Sequence, residues 1–402
     1  MKKQTSKLIV SNIVILGLVS FFTDISTEMV YPIMPLYLTT MLGASPAIIG
    51  VIEGIAESLT AVLKLLSGMM ADKFGNKKQL AFAGYATSFF NKVIILLSAS
   101  WGGVLLARII DCFGKGIRTA PRDALVAESA NSGGLGKAYG LHKTFDMLGA
   151  SVGILLAFLL IANASAENFR NIFLLSMIPA IIGPLCVLFV KGSKRKSEPK
   201  KLNFTWHGLD KRLRLFLVII FVFTLGNSSN AFILLRAASA GFSSRETILL
   251  YFVFNLVASI LSYPIGKLSD IIGRKYTLSA GYIVYGVVYL GIGLLASRIA
   301  FWGLFVLYGV YTALTAGGER ALIAEIAPNH FKSSALGLHS AIVGIGLLPA
   351  SLIAGILWDT SGQAAPFVLG GCLALLAGVA VFVVLNKKAL QPMRVKYNNK
   401  GE

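Results

Sequence analysis

The chain has 402 residues, of which 55% are hydrophobic and only 14% are charged, well below the ~25% charged residues usual in soluble domains. This composition excludes an ordinary soluble protein, and apolar runs of about 20 residues exclude an outer-membrane barrel, whose strands need only about 10. The net charge of +19 would suggest a nucleic-acid partner in a soluble chain, but in a membrane protein it is explained by Lys and Arg in cytoplasmic loops.

Twelve apolar segments of membrane-spanning length follow one another, which predicts an all-α polytopic protein with twelve transmembrane helices. The predicted spans are 10–39, 46–70, 79–98, 102–125, 137–162, 171–190, 214–237, 246–268, 276–296, 301–326, 333–357 and 365–386. If the N-terminus lies inside, the loops on the outside contain only Arg170, Arg245 and Arg298 as basic residues. This asymmetry predicts that both termini are cytoplasmic, and the short loops favour a bacterial inner membrane.

One long polar connection divides the spans into two groups of six. The predicted organisation is an amino-terminal six-helix bundle over 1–190, a basic cytoplasmic linker over 191–213, a carboxy-terminal six-helix bundle over 214–386 and a cytoplasmic tail over 387–402. We interpret the basic residues of the linker as a solvated segment attracted to anionic lipid headgroups.

Ionisable residues lie within the first, second, fourth and fifth spans at helical spacing. Each costs at least ~2.5–3.5 kcal/mol at mid-bilayer, so intramembrane charges are candidates for function. The candidates are Asp24, Glu28 and Tyr31 on the first span, Glu53, Glu57 and Lys64 on the second, Arg108 and Asp111 on the fourth, and His142 and Asp146 on the fifth. Pro32 and Pro35 predict a bend in the first span toward its outer end.

Acids outnumber bases in these amino-terminal spans. The acids are Asp24, Glu28, Glu53, Glu57, Asp111 and Asp146, and the bases are Lys64, Lys92, Arg108 and Lys143. A buried carboxylate without a cation partner favours its protonated form, so at least one acid is expected to be protonated part of the time, as proton coupling requires. The alternatives are a static pairing of Asp24 and Glu28 with Arg108, a merely solvated His142, and a Lys92 that snorkels to the membrane surface.

The carboxy-terminal spans contain fewer charges. Asn227, Asn255 and Arg236 are candidates for solute binding there. Glu319 and Arg320 are neighbours in the chain and are expected to pair locally, and His339 is expected to be a packed or capping histidine.

The two halves repeat one another. Asp72 recurs as Asp270 at an offset of 198 residues, and His142 recurs as His339 at an offset of 197. A six-helix unit duplicated in the same orientation predicts two bundles related by a pseudo-twofold axis along the membrane normal, with a solute site between them near the midplane.

The loop after the second span carries a recognisable motif. The stretch GMMADKFGNKK, residues 68–78, resembles the loop 2–3 signature of the major facilitator superfamily, and GKLSDIIGRK, residues 266–275, resembles a second copy. Arg108 followed by Gly114 is similar to the fourth-helix signature, with Cys112 where a glycine is expected. The resemblance implies secondary transport by rocker-switch alternating access.

The same resemblance implies that these loops latch the two halves in the outward-facing state. The implied gating residues are Gly68, Asp72, Lys73, Gly75, Lys77, Lys78, Gly266, Asp270, Gly273, Arg274 and Lys275. The chain is nearest in motif to drug:proton antiporter-like members, although Gly153 on the fifth helix is followed by Ile154 where that signature has proline.

The sequence therefore predicts a proton-coupled secondary active transporter that exports a cationic or neutral amphipathic small molecule. The alternatives are a proton-symport importer or a lipid or siderophore carrier of the same fold. A membrane-embedded enzyme or a sensor is disfavoured because zinc-ligand, nucleophile-elbow and phosphate-loop motifs are not found. We expect a monomer that contacts membrane lipid and uses no cofactor, metal or nucleic acid.

Overall fold

The structure is a computed structural model that describes residues 2–74, 77–129, 135–190, 210–295, 297–315, 318–326 and 332–385. For several helix positions, among them 2–11, 64–74 and 135–140, it describes the backbone only. Gly75, most of the predicted linker and the predicted tail lie outside the described residues. Four candidate residues have side chains outside the described part, namely Lys64, Asp72, Lys73 and Asp270. The surroundings of Gly68 are not described either.

The described chain is helical, which confirms the predicted fold class. Its helices are α1 (Lys2–Val30), α2 (Met34–Thr40), α3 (Pro46–Phe74), α4 (Lys77–Leu97), α5 (Trp101–Glu128), α6 (Leu135–Leu160), α7 (Ala166–Val187), α8 (Lys211–Gly226), α9 (Asn230–Ser239), α10 (Ser244–Ile272), α11 (Arg274–Leu294), α12 (Arg298–Thr315), α13 (Gly318–Ile326), α14 (Lys332–Ser361) and α15 (Ala365–Val384).

Within the described residues, fifteen helices make up twelve membrane segments: the first and the seventh segments are interrupted, and the tenth is described as two helices on either side of residues 316–317. The first consists of α1 and α2, the seventh of α8 and α9, and the tenth of α12 and α13. Eleven segments within the described residues are long and apolar enough to cross a membrane. The remaining segment is helix α5, the fourth in chain order. It contains several charged residues and packs against α3 and α4.

Local chemistry sets the helix ends. Pro32 lacks an N–H and therefore cannot continue the hydrogen-bond ladder of α1, so a 3-10 turn over Tyr31–Ile33 links α1 to α2. Helix α7 begins at Ala166, earlier than the predicted 171, because the Ser165 hydroxyl caps it by accepting a hydrogen bond from the Asn168 N–H. Gly273 ends α10 at φ 101°, in a region that favours glycine.

The two halves form separate bundles that meet along two helix pairs. In the first half α1 packs on α6 and α7, and α4 packs on α5 and α7; in the second α11 packs on α12 and α15, and α8 packs on α14 and α15. Between the halves, α3 packs along α14 and α6 along α10. These two contacts pair the second segment with the eleventh and the fifth with the eighth, as the pseudo-twofold relation of the fold requires.

The α3–α14 contact is tight at one end of the bundle. We call the end that carries the connection over 41–45 the outer end and the opposite end the inner end. Gly50 and Gly355 lie against the backbone of the partner helix, where a Cβ would clash. At the same end the Ala47 N–H donates to Asp359 Oδ2 at 3.1 Å. Small residues thus allow the two halves to close at the outer end.

Candidate functional site

A cavity of about 1100 Å³ lies between the two halves. Its walls come from both broken segments and from α3, α5, α10, α12 and α14. Lys115 and Thr119 on α5, Thr315 at the end of α12 and His339 near the start of α14 are among its lining residues, so the cavity extends from the middle of the bundle toward the inner end. The close α3–α14 contact lies at the other end.

A polar network links the two halves at the top of the cavity. One guanidinium nitrogen of Arg108, Nη2, lies 2.7 Å from both carboxylate oxygens of Glu53, which is only 3% exposed. The Ser229 hydroxyl, from the opposite half, donates to Glu53 Oε2 at 3.2 Å. The Tyr31 hydroxyl lies 3.5 Å from the Ser229 hydroxyl, and the Arg108 guanidinium lies over the Tyr31 ring. Glu53 therefore joins an amino-half cation to a carboxy-half hydroxyl.

Glu28 makes a second connection between the halves. The Tyr251 hydroxyl on α10 donates to Glu28 Oε2 at 3.4 Å. The Asn255 amide, one turn further along α10, donates to the Tyr251 carbonyl oxygen at 2.9 Å and lines the same cavity. Among the described residues, Glu28 has no cation within ion-pair distance.

Glu57 lies on the cavity wall one turn after Glu53. Within the part of the chain that the structure describes, its carboxylate has neither a hydrogen bond nor an ion pair. Among the described residues, the Lys and Arg side chains that line the cavity are both engaged, because Arg108 binds Glu53 and Lys115 Nζ lies 2.7 Å from Asp111 Oδ2. Glu28 and Glu57 thus give the cavity an excess of carboxylates.

Lys92 does not snorkel. It is 1% exposed and lines a small internal cavity together with Asp111 and Arg108. The charge of Asp111, which is also buried, offsets the cost of burying this ammonium group. The snorkelling expected from the sequence is wrong because an acid on the neighbouring helix faces inward at the same depth.

Asp24, His142 and Asp146 form a separate cluster behind the cavity. Asp24 lies near Asp146 and near the cations of α5. His142 Nε2 is 2.9 Å from the Ser20 hydroxyl, and its Nδ1 is 3.6 Å from Asp146 Oδ1, beyond hydrogen-bond range. These residues, predicted as one set with the cavity acids, lie between α1, α5 and α6 instead.

The structure brings most of the other candidates to the cavity. Glu28, Tyr31, Glu57, Arg108, Asn227 and Asn255 line it. Arg236 does not reach it. Its Nε donates to the Ile292 carbonyl oxygen at 3.1 Å and its Nη1 approaches Ser239. A basic residue in the last turn of α9 interacts favourably with helix-end carbonyls, which explains this position.

The two motif loops are tied to their own halves by matching ion pairs. Lys77 pairs with Glu128, and Arg274 Nη1 lies 3.5 Å from Glu325 Oε2. Both members of the second pair follow those of the first by 197 residues. Lys78 Nζ donates to the Leu188 carbonyl oxygen at 2.6 Å. The starts of α4 and α11, which follow the two loops, are thereby held at the inner ends of their bundles, whereas the acidic residues implied as latches lie outside the described side chains.

Three tyrosines support the break in the seventh segment. The Tyr285 hydroxyl donates to the Gly226 carbonyl oxygen at 3.1 Å, and the Tyr308 hydroxyl donates to Asn230 Oδ1 at 2.8 Å. The Tyr289 hydroxyl donates to the Ser228 carbonyl oxygen at 3.4 Å. Backbone groups left free by the break are thus satisfied inside the protein, as an unwound segment at membrane depth requires.

Several site residues were not found from the sequence. Ser229 and Tyr251 bind the key carboxylates, but an isolated serine or tyrosine in an apolar run carries no signal. Glu319 accepts from the Tyr282 hydroxyl at 2.6 Å and lies 2.8 Å from His339 Nε2, and its expected pairing with Arg320 involves a side chain outside the described residues. His339 lines the cavity, and its repeat relation to His142 was the available signal.

Comparisons with known proteins agree on one family. A profile of the Major Facilitator Superfamily matches residues 16–229 and 215–400. An uncharacterized MFS-type transporter of Methanocaldococcus jannaschii is 38% identical over 383 residues, which cover 93% of this chain and 94% of that protein. The inner membrane transport protein YajR of Escherichia coli is 25% identical over 388 residues, covering 89% of this chain and 80% of that protein.

Solved structures show the same fold. The crystal structure of the nucleoside transporter NupG matches with a TM-score of 0.79 at 13% identity, covering 93% of this chain and 100% of that one. At this identity the likeness extends to the arrangement of the helices and not to the solute.

Proposed function

The chain belongs to the Major Facilitator Superfamily, and on that premise we propose that it is a proton-coupled transporter that exports a cationic or neutral amphipathic organic solute. Membership makes it a multi-pass secondary transporter of small molecules rather than an enzyme. One observation carries the finer proposal: Glu28 and Glu57 lie on the cavity wall without a cation partner among the described residues, while Arg108 and Lys115 on that wall are each bound to another acid.

Coupling follows from the double role of Glu28. As a carboxylate it accepts a hydrogen bond from Tyr251 of the opposite half, and charge-assisted hydrogen bonds are roughly twice as strong as neutral ones. Protonation weakens this link between the halves at the closed end of the cavity. Proton binding and closure thereby become linked, as alternating access driven by a proton gradient requires.

The solute class follows from the chemistry of the walls. Glu28 and Glu57, which have no cation partner among the described residues, attract a cation, and the cavity walls provide aromatic rings that bind cations through their faces. The rings on the cavity wall are those of Tyr31, Tyr251, Phe254, Tyr308 and Tyr311. A volume of about 1100 Å³ suits a small organic molecule. Because proton and cation compete for the same carboxylates, exchange in opposite directions is favoured over symport.

Orientation completes the proposal. The positive-inside rule places the inner end in the cytoplasm, so the cavity faces inward and the α3–α14 contact closes the outside. Export then requires the halves to rock about the centre of the bundle, so that the α3–α14 contact separates at the outer end. We place the protein in an inner membrane, with both termini cytoplasmic, acting as a monomer surrounded by lipid.

Transport by purified protein in proteoliposomes tests the proposal. A panel of organic cations, including tetraphenylphosphonium, and of matched organic anions is offered under a pH gradient. We expect gradient-driven movement of a cation that is lost in Glu28→Gln and Glu57→Gln. Glu167→Gln, the same change on an exposed residue at the outer end of α7, serves as control and retains it.

Two results would contradict the proposal. Transport of anions alone would exclude the cationic solute class. Cation movement in Glu57→Gln and Glu28→Gln with the wild-type response to the pH gradient would exclude these acids as the coupling groups. Uptake together with protons, rather than against them, would favour the symport alternative.

A further inference from the structure

A buried carboxylate–imidazole pair lies on the carboxy-half side of the cavity. His339 Nε2 on α14 is 2.8 Å from Glu319 Oε2 on α13, and the Tyr282 hydroxyl on α11 donates to Glu319 Oε1 at 2.6 Å. His339 is 6% exposed and the Glu319 side chain is 19% exposed. Three elements of the bundle therefore hold the pair in a fixed geometry beside the cavity.

The second ring nitrogen of His339 does not take part in the contact with Glu319. Nδ1 is buried and has no hydrogen-bond partner among the described residues, whereas His339 itself lines the cavity. With Nε2–H donating to Glu319, the neutral ring presents an unused lone pair at Nδ1. A proton is the smallest ligand that fills this position, and its charge would be balanced by the carboxylate already bound to the ring.

We propose that His339 and Glu319 form a second proton-binding site of the transporter, located in the carboxy-terminal half. The proton passes from a hydronium ion of the cavity to Nδ1, where a new N–H bond forms and water is left behind. The imidazolium remains paired with Glu319 through Nε2–H. The role of the site in coupling rests on the proposed function, but proton binding itself does not.

The surroundings favour a proton over another cation. Besides His339, the titratable groups that interact with Glu319 among the described residues are Tyr282 from α11 and Tyr311 from α12. Both present neutral hydroxyls, and α8 presents the Phe223 ring, which stacks on Tyr282. The Arg320 side chain lies outside the described part of the chain, so its effect is tested directly below.

The first half does not repeat the histidine–glutamate pair of the second half. His142, the counterpart of His339, has Ser20 at 2.9 Å from Nε2 and Asp146 only at 3.6 Å from Nδ1. Val343 stands where Asp146 stands in the first half. The acid in contact with His339 therefore comes from a different helix, which makes this pair a feature of the second half alone.

Nitrogen NMR of the full chain in lipid nanodiscs, labelled at histidine, tests the proposal without a solute. The chain has 4 histidines, and His339→Gln assigns the relevant signal. We expect His339 to change from the neutral Nε2–H tautomer to the doubly protonated ring as the sample is taken across a range from alkaline to acidic pH. Glu319→Gln removes the balancing charge and should lower the proton affinity of His339 about tenfold or more, corresponding to ~1 pH unit.

Controls separate the site from its neighbours. Thr312→Ala lies on the same cavity wall but its hydroxyl binds only its own helix, so the titration should not change. If His339→Gln fails to fold, Tyr282→Phe removes the hydroxyl that donates to Glu319 Oε1, and the histidine signal that responds is assigned to His339. A His339 that stays neutral across the range, or that responds to Arg320→Gln and not to Glu319→Gln, overturns the proposal. The transport assay of Glu28→Gln and Glu57→Gln is a separate measurement, so the proposed function can fail while the proton site at His339 stands, and the reverse.

Discussion

Glu53 and Glu57 are one helical turn apart and differ in their partners, which makes them a matched pair for mutation. Glu53 is bound by Arg108 and Ser229, whereas Glu57 has no such partner among the described residues. Glu53→Gln leaves the Arg108 charge buried and unpaired, a defect that costs about 3–5 kcal/mol. We expect Glu53→Gln to lower the thermal unfolding temperature clearly.

Glu57→Gln is the control for that measurement. Replacing a carboxylate that has no cation partner by a neutral amide removes a desolvation cost, so the unfolding temperature should stay the same or rise. Tryptophan fluorescence of the purified protein during heating measures both. Equal destabilisation by the two substitutions would show that Glu53 is not specially engaged by Arg108.

At the level of residues, the sequence located charges better than it located their partners. Spacing placed Glu53, Glu57 and Arg108 inside the membrane, and the cost of burial marked them as functional candidates. Spacing could not show that Arg108 pairs with Glu53 rather than with Glu57, because the pairing depends on the directions of side chains on two helices. The hydroxyl partners Ser229 and Tyr251 come from the other half and carry no charge.

The two broken segments are equivalent elements that face one another. The break over Tyr31–Ile33 and the break before Ser229 lie at the repeat offset, and the Tyr31 and Ser229 hydroxyls are 3.5 Å apart. From Pro32 and Pro35 a bend of the first span was predicted, and the structure has a break there. The second break was not predicted, because Gly226 to Ser229 contain no proline; the Ser229 cap on the Ala231 N–H and the tyrosine hydroxyls from other helices stabilise it.

The tyrosine support of the second break gives a prediction. Tyr285→Phe removes the donor to the Gly226 carbonyl oxygen and leaves a buried acceptor unsatisfied, at a cost of about 1–3 kcal/mol. We expect a lower unfolding temperature and weaker binding of the transported cation, since the unwound segment lines the cavity. Tyr276→Phe is the control, because Tyr276 is 37% exposed. Equal effects of the two changes would contradict a specific role for Tyr285.

Across the whole molecule, the repeat predicted more than any single motif did. It predicted two bundles and a site between them, and the matching ion pairs Lys77–Glu128 and Arg274–Glu325 extend it to side chains. The sequence could not predict the conformational state. The end at which the bundle is closed depends on how closely helices of opposite halves approach one another. Gly50 and Gly355 permit that approach without revealing its partner.

The closed outer end gives the final prediction. Ala47 and Asp359 lie on opposite halves and share a hydrogen bond of 3.1 Å, so cysteines at these two positions should cross-link through a short bifunctional reagent. The cross-link prevents the outer end from opening and should abolish transport while the cavity stays accessible from the inner end. Native Cys112, Cys186 and Cys372 are first replaced by serine, and each single-cysteine variant serves as control. Full transport by the cross-linked protein would mean that the halves do not separate at the α3–α14 contact, because a rigid tie there is incompatible with rocking about the centre of the bundle.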